Sequence, residues 1–198
     1  KGYLINHGFF DAAVDYSIST KNKKASISYL IEEKKPYLLD SVYTRVDNPE
    51  LQNLISSFSS NSFLQKGQIY NQDNITAERN RLEELLKNKG YYMFSKSYIN
   101  FIAYQDTAAK SIRIEQVIQK PTFAESHQVY TIDSISLRIN PPSDEFADRQ
   151  IQTQYQGIDF SFYRDRYSAK VLASRIQLQK GKPYNRTDAL ETQRLINS

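Results

Sequence analysis

Nucleophiles, acid–base pairs and metal ligands are the residue types that make an enzyme, and this chain holds little material for any of them. It has no cysteine, which removes thiol nucleophiles, Cys-based zinc sites and disulfides together. His7 and His127 are the only histidines, so acid–base or metal chemistry built on imidazole has almost nothing to work with. The carboxylates Glu83-Glu84 and Asp144-Glu145 are adjacent in sequence, so their side chains diverge on a helix or sit in a solvated loop, and no catalytic pair is expected of them. Phosphate-binding and dinucleotide glycine patterns are absent, as is the Gly-x-Ser-x-Gly elbow of serine hydrolases. No enzyme, no cofactor and no metal site is expected. Asn74-Ile75-Thr76 and Asn185-Arg186-Thr187 match the glycosylation pattern, but both read as the openings of helices.

Charge and composition narrow the remaining classes. The formal net charge is +4, yet the basic residues are scattered, and the densest runs, Lys21–Lys24 and Lys34-Lys35, read as solvated turns. A nucleic-acid binder concentrates such residues on one face, so no nucleic-acid partner is expected. Strands rich in Tyr and Phe can still stack bases, which keeps single-stranded nucleic acid as the competing class. Apolar residues make up 39% of the 198 positions, and 15 Tyr with 10 Phe supply enough buriable surface for a core. No apolar run approaches the ~18 residues of a spanning helix. The chain opens at Lys1 without a Met or a leader, which reads as an excised fragment or a processed product.

Internal repeats say more than composition. Pro36-Tyr37-Leu38-Leu39-Asp40-Ser41-Val42 returns as Val129-Tyr130-Thr131-Ile132-Asp133-Ser134-Ile135. Gln65-Lys66-Gly67 followed by Tyr70-Asn71 returns as Gln179-Lys180-Gly181 followed by Tyr184-Asn185. Asn88-Lys89-Gly90-Tyr91-Tyr92 echoes Asn6-His7-Gly8-Phe9-Phe10. The first and second markers lie further apart in the later copy, and the surplus falls between Pro141 and about Arg164.

Each marker has a mechanical meaning. Val42, Thr44 and Val46, like Ile135, Leu137 and Ile139, alternate as one face of a strand. Pro49 opens a helix capped by Asp47 or Asn48, with Leu51, Leu54, Ile55 and Phe58 as its stripe. A second helix, capped by Asp73 or Asn74, carries Ile75, Arg79, Leu82, Leu85 and Leu86 on one face and stops at Gly90. A strand from about Tyr92 to Tyr104 turns near Asp106 into a strand over Ser111–Ile118. The pattern predicts an α+β fold of tandem β-α-α-β-β units, each a three-stranded mixed sheet covered by two helices. Residues 1–35 read as the C-terminal part of one unit, 36–122 as a complete unit, and 128–198 as the start of another with an insertion at about 141–164.

In order and markers the chain resembles POTRA (polypeptide-transport-associated) domains, the periplasmic repeats that precede the β-barrel in BamA- and TamA-like outer-membrane assembly proteins. The resemblance rests on the Gly-x-x-Tyr turns at Gly67–Tyr70 and Gly181–Tyr184, and on the Gly-aromatic-aromatic helix ends after Leu86 and Leu4. It rests also on the hairpin that leads into the next Tyr-x-x-Asp-Ser strand. Asp47-Asn48 and Asn140-Pro141 depart from the family, which often has Gly after the first strand. The insertion around Tyr155–Phe160 is similar to divergent, Bacteroidota-type relatives.

What the resemblance implies is a non-enzymatic role in the periplasm, as part of an outer-membrane protein whose barrel or anchor lies outside this sequence. Its partners would be unfolded outer-membrane clients and periplasmic or lipoprotein accessory factors; the two-partner-secretion branch stays open. The physical route is β-augmentation, in which an extended peptide pairs with a sheet edge through main-chain hydrogen bonds. The unit's second strand is the candidate edge, with Tyr98, Ile99, Asn100, Phe101 and Ile102 as site residues; the same aromatics also read as ordinary core or surface groups. The incomplete terminal units leave apolar positions open: Val14, Tyr16, Ile27 and Tyr29 at one end, and Ile135, Leu137, Leu172, Ile176 and Leu195 at the other. Two copies of the chain are therefore expected to self-associate by swapping these pieces.

Overall fold

A computed structural model describes residues 1–122, 124–140, 150–163 and 167–197. The chain divides into two compact units, one of residues 1–82 and 95–126, the other of 83–94 and 127–198.

The first unit opens with a short helix, α1 (Gly2–Asn6), and two paired antiparallel strands, β1 (Ala13–Lys21) and β2 (Lys24–Glu32). Asn22 and Lys23, both at positive φ, make the tight turn whose twist suits a two-residue hairpin. Alternation gives the ribbon one apolar face, in which Val14 opposes Ile31, Tyr16 opposes Tyr29 and Ile18 opposes Ile27. Tyr16, Ile18, Ile27 and Tyr29 are exposed, and the ribbon has no third strand among the described residues.

The same unit then builds β3 (Leu38–Arg45), α2 (Pro49–Ser57), the part of α3 (Gln72–Asn88) up to residue 82, β4 (Ile99–Asp106) and β5 (Ser111–Ile118). The sheet order is β3-β5-β4; central β5 runs parallel to β3 and antiparallel to β4. Local chemistry explains the boundaries. The Asn48 side chain accepts hydrogen bonds from the Glu50 and Leu51 amides, with Pro49 in the first turn. Asn71, rather than Asp73 or Asn74, opens α3 by accepting from the Asp73 amide. Asp106 Oδ1 accepts from the Ala108 and Ala109 amides and closes the β4–β5 turn. The strand expected from Tyr92 starts only at Ile99: Tyr91 and Phe94 are buried in turns, and Ser95 caps a 3₁₀ turn over Lys96–Tyr98. Tyr37, Leu39, Leu64, Ile75, Ile112 and Ile114 form the core, so strands, loop and second helix all contribute.

In the second unit lie β6 (Ile135–Arg138), β7 (Gln150–Tyr155), β8 (Ile158–Tyr163), α4 (Ala169–Ser174) and α5 (Arg186–Asn197). The sheet order is β6-β8-β7, with central β8 parallel to β6 and antiparallel to β7. This repeats the arrangement of the first sheet from differently ordered chain. The start of a unit expected over 128–198 has no closing hairpin, whereas in the structure the insertion itself supplies one. Gln156 and Gly157, both at positive φ, turn the hairpin, and Ile158, Phe160 and Phe162 bury their side chains beside Ala173. Ile135, Leu137, Leu172 and Ile176 pack against that cluster and Leu195 is half-buried, so the exposed C-terminal face expected for a swap is not present. Residues 141–149, including Asp144 and Glu145, and residue 164 of the insertion lie outside the described residues.

Candidate functional site

The candidate edge is β4. It pairs with β5 and with no second strand among the described residues, so one side of its backbone faces outward. One hydrogen bond sets the phase. The Gln119 amide donates to the Tyr98 carbonyl at 2.8 Å, in register with Ile99 opposite Ile118. Antiparallel pairs alternate between hydrogen-bonded and non-hydrogen-bonded. Tyr98, Asn100, Ile102 and Tyr104 therefore aim their backbone groups at β5, and Ile99, Phe101, Ala103 and Gln105 aim theirs outward.

The five sequence-predicted residues divide along that alternation. Tyr98 sits in the 3₁₀ turn, just before the strand rather than in it. Ile99 is buried at 2% exposure, and its outward carbonyl accepts from Arg79 Nε at 3.3 Å. Asn100 is half-buried opposite Val117. Phe101 is half-buried against the core, with the Arg79 guanidinium 5.3 Å from its ring centre. Ile102 lies on the opposite face of the sheet and is exposed. The outward groups open to a partner strand thus begin at Phe101 and continue through Ala103 and Gln105.

Sequence reasoning missed two supports of this edge. Arg79 reads as a member of the helix stripe, whereas it caps the start of the edge. On the outer face, Arg45 Nε donates to Glu115 Oε1 at 2.6 Å and the Tyr104 hydroxyl donates to Glu115 Oε2 at 2.7 Å. These bonds tie all three strands together through one central carboxylate. Both bonds favour the ionised form, the one from Arg45 most, and hold Glu115 below the usual carboxylate range. The bond to Glu115 likewise pushes the Tyr104 hydroxyl up. The only sequence signal for the clamp is alternation, which puts Arg45, Glu115 and Tyr104 on one face.

The other edge of the sheet is partly covered. The Leu39 amide donates to the Gln68 carbonyl at 2.8 Å, and the Gly67 amide to the Leu39 carbonyl at 2.7 Å, so the start of β3 is already paired. β4 also lacks the usual edge protections: it contains no Lys, Pro or Gly, and its only charge is Asp106 in the turn. Chemically the site offers main-chain donors and acceptors beside apolar side chains. Among the described residues no group of His, Asp or Glu is placed to hold a metal ion, and no helix is long and apolar enough to cross a membrane.

Strand order and strand direction make this chain an α+β protein with two mixed three-stranded sheets of the same arrangement, the first in β-α-α-β-β chain order and the second in β-β-β-α-α order. Similar solved structures include POTRA regions of BamA and Omp85. POTRA 3–5 of BamA from Haemophilus influenzae matches at 17% identity and a TM-score of 0.45, covering 98% of this chain and 64% of that one. POTRA 1–3 of the periplasmic domain of Omp85 from Anabaena matches at 17% identity and a TM-score of 0.31, covering 98% and 66%. BamA from Haemophilus ducreyi lacking POTRA domains 1–3 matches at 13% identity and 0.38, covering 60% and 21%. The chain thus spans less than two thirds of each. No family model and no curated protein matches the sequence. At these identities the functional reading rests on the chain's own residues.

Proposed function

We propose that the chain is a non-enzymatic, periplasmic scaffold of outer-membrane protein assembly or translocation, which guides extended client polypeptides by pairing them with β4. The observation that supports this reading is the unprotected edge from Phe101 to Gln105, with its outward backbone groups between one apolar residue facing the helices and another facing outward. Main-chain pairing makes small demands on client sequence, which suits a scaffold that must accept many strands. Accessory factors of the periplasm or outer membrane would dock on the same repeats, and a barrel or anchor elsewhere in the protein would hold them at the membrane.

Proline scanning tests the reading. In Phe101→Pro the lost amide points outward, so the sheet persists while peptide binding fails. In Ile102→Pro the lost amide belongs to the β4–β5 ladder, so the sheet itself weakens. Photo-crosslinking to an extended, alternating apolar peptide, with circular dichroism as the check on folding, separates the two. Equal crosslinking by wild type and a folded Phe101→Pro removes β4 from the account.

A further inference from the structure

One arrangement of backbone atoms occurs twice. In the first unit, Gly8 follows α1 at φ +89°. Its carbonyl accepts from the Tyr37 amide at 2.9 Å, and the Tyr37 carbonyl accepts from the Tyr70 amide at 2.9 Å. In the second unit, Gly90 follows α3 at φ +95°. Its carbonyl accepts from the Tyr130 amide at 2.8 Å, and the Tyr130 carbonyl accepts from the Tyr184 amide at 2.8 Å. Two residues on, the Leu39 pairing with Gln68 and Gly67 is matched by Ile132, which donates to Lys182 and accepts from Gly181 at 2.9 and 2.7 Å. A ring follows each helix stop: Phe10 lies against Tyr37 and Tyr70, and Tyr92 against Tyr130 and Tyr184.

Unequal stretches of chain separate these parts in the two copies, so the match is not a by-product of uniform repeat length. Both copies also need the same missing atom. A Cβ on Gly8 would lie 2.7 Å from the Tyr70 carbonyl oxygen and 2.9 Å from Ile69 Cγ2; on Gly90 it would lie 2.6 Å from Val129 Cγ1 and 3.2 Å from Pro183 Cβ. Gly67 and Gly181 have positive φ too, but open space surrounds them. Glycine thus serves the turns by conformation alone and the helix stops by close approach as well.

We infer that this arrangement is a joining clamp, in which the second-helix stop of one repeat receives the segment that leads into the first strand of the following repeat. The partner it fits is a following repeat of the same chain, one whose opening segment presents its backbone to the glycine. Recognition runs through backbone groups and a Cβ-free contact, so the sequence of that segment is free to vary while Gly8 and Gly90 are not. The clamp also links three segments in series, because the segment held by the glycine holds the turn before its own second helix.

Residue-resolved amide exchange on the whole chain tests the clamp. Gly90→Ala is expected to speed exchange of the Tyr130 and Tyr184 amides by about tenfold or more, while the Tyr37 and Tyr70 amides keep their protection. Gly181→Ala, strained only in φ, should leave Tyr130 far better protected than Gly90→Ala does. Val129→Ala removes the Cγ1 atom nearest the new methyl and should restore part of the protection in the Gly90→Ala background, bringing it toward that of Gly181→Ala. Unchanged Tyr130 exchange in Gly90→Ala overturns the inference. So does loss of protection at all four amides that Val129→Ala fails to rescue.

Discussion

Glu78 provides the sharpest test of how the first unit is held together. It lies on α3 and is 2% exposed. Its carboxylate accepts from Arg81 Nε at 2.8 Å, from the second Arg81 terminal nitrogen at 2.6 Å, and from the Phe63 amide at 3.0 Å. Arg81 itself is only 15% exposed on its side chain, and its remaining terminal nitrogen donates to the Phe58 carbonyl. The pair therefore pins the 58–63 loop to the helix. Spacing alone would value it as an ordinary (i, i+3) ion pair, at about 0.2–0.5 kcal/mol. Burial values it differently, because removing one partner leaves a cation without its carboxylate, at about 3–5 kcal/mol. Glu78→Gln keeps one acceptor, so about 3 kcal/mol is the expected loss. Urea denaturation followed by circular dichroism reads it as a lower midpoint at unchanged slope for the first unit. The double variant Glu78→Leu with Arg81→Leu should recover part of the loss relative to Glu78→Leu, since no charge is left stranded. A Glu78→Gln cost below about 1 kcal/mol would refute the buried-pair argument.

Three further perturbations probe other parts of the account. Asn48→Ala should cost about 1 kcal/mol in the same denaturation, through loss of the cap on the Glu50 and Leu51 amides; no change would mean that Pro49 suffices to start α2. Glu115 has its pKa lowered by Arg45 and Tyr104, so its stabilising effect is complete above the unfolded value near 4.5 and is lost as pH falls through the lower folded value. The midpoint difference between wild type and Glu115→Gln should therefore shrink on acidification; a difference that grows toward low pH would contradict the clamp. Phe160→Ala should cost about 3–5 kcal/mol in the second unit, because Phe160 is 2% exposed in its core. A cost under about 1 kcal/mol would show that the hairpin is not part of that core.

Much of the fold is legible locally, and the failures share a cause. Asn48-Pro49 and the helix stop at Gly90 are visible because caps and glycine stops are read from neighbouring residues. Ser111–Ile118 is visible because Ile112, Ile114 and Ile118 alternate along it, although Gln116 interrupts the apolar face. The hairpin over Gln150–Tyr163 alternates too, around a Gln156-Gly157 turn, but its place beside β6 depends on pairing across the sheet, which local pattern does not encode. The aromatic run after Gly90 imitates a strand, while tertiary packing buries Tyr91 and Phe94 in turns. Glu78 was hidden for the converse reason: a carboxylate on the buried stripe looks misplaced until Arg81 and the Phe63 amide come beside it. At the candidate site, a strand is legible and an edge is not. That β4 lies outermost follows from the order β3-β5-β4, and the outward phase of Phe101, Ala103 and Gln105 follows from the bond between Gln119 and Tyr98.

That phase gives the most direct measurement of the central claim. Amide exchange along β4 should be recorded without and with a saturating extended peptide of alternating apolar and polar residues. Without peptide, the amides of Asn100, Ile102 and Tyr104 should be protected by β5, and those of Phe101, Ala103 and Gln105 should exchange freely. With peptide, the account predicts new protection at every second residue, at Phe101, Ala103 and Gln105. Free exchange at these three amides in the presence of bound peptide, or new protection confined to β3, would contradict it.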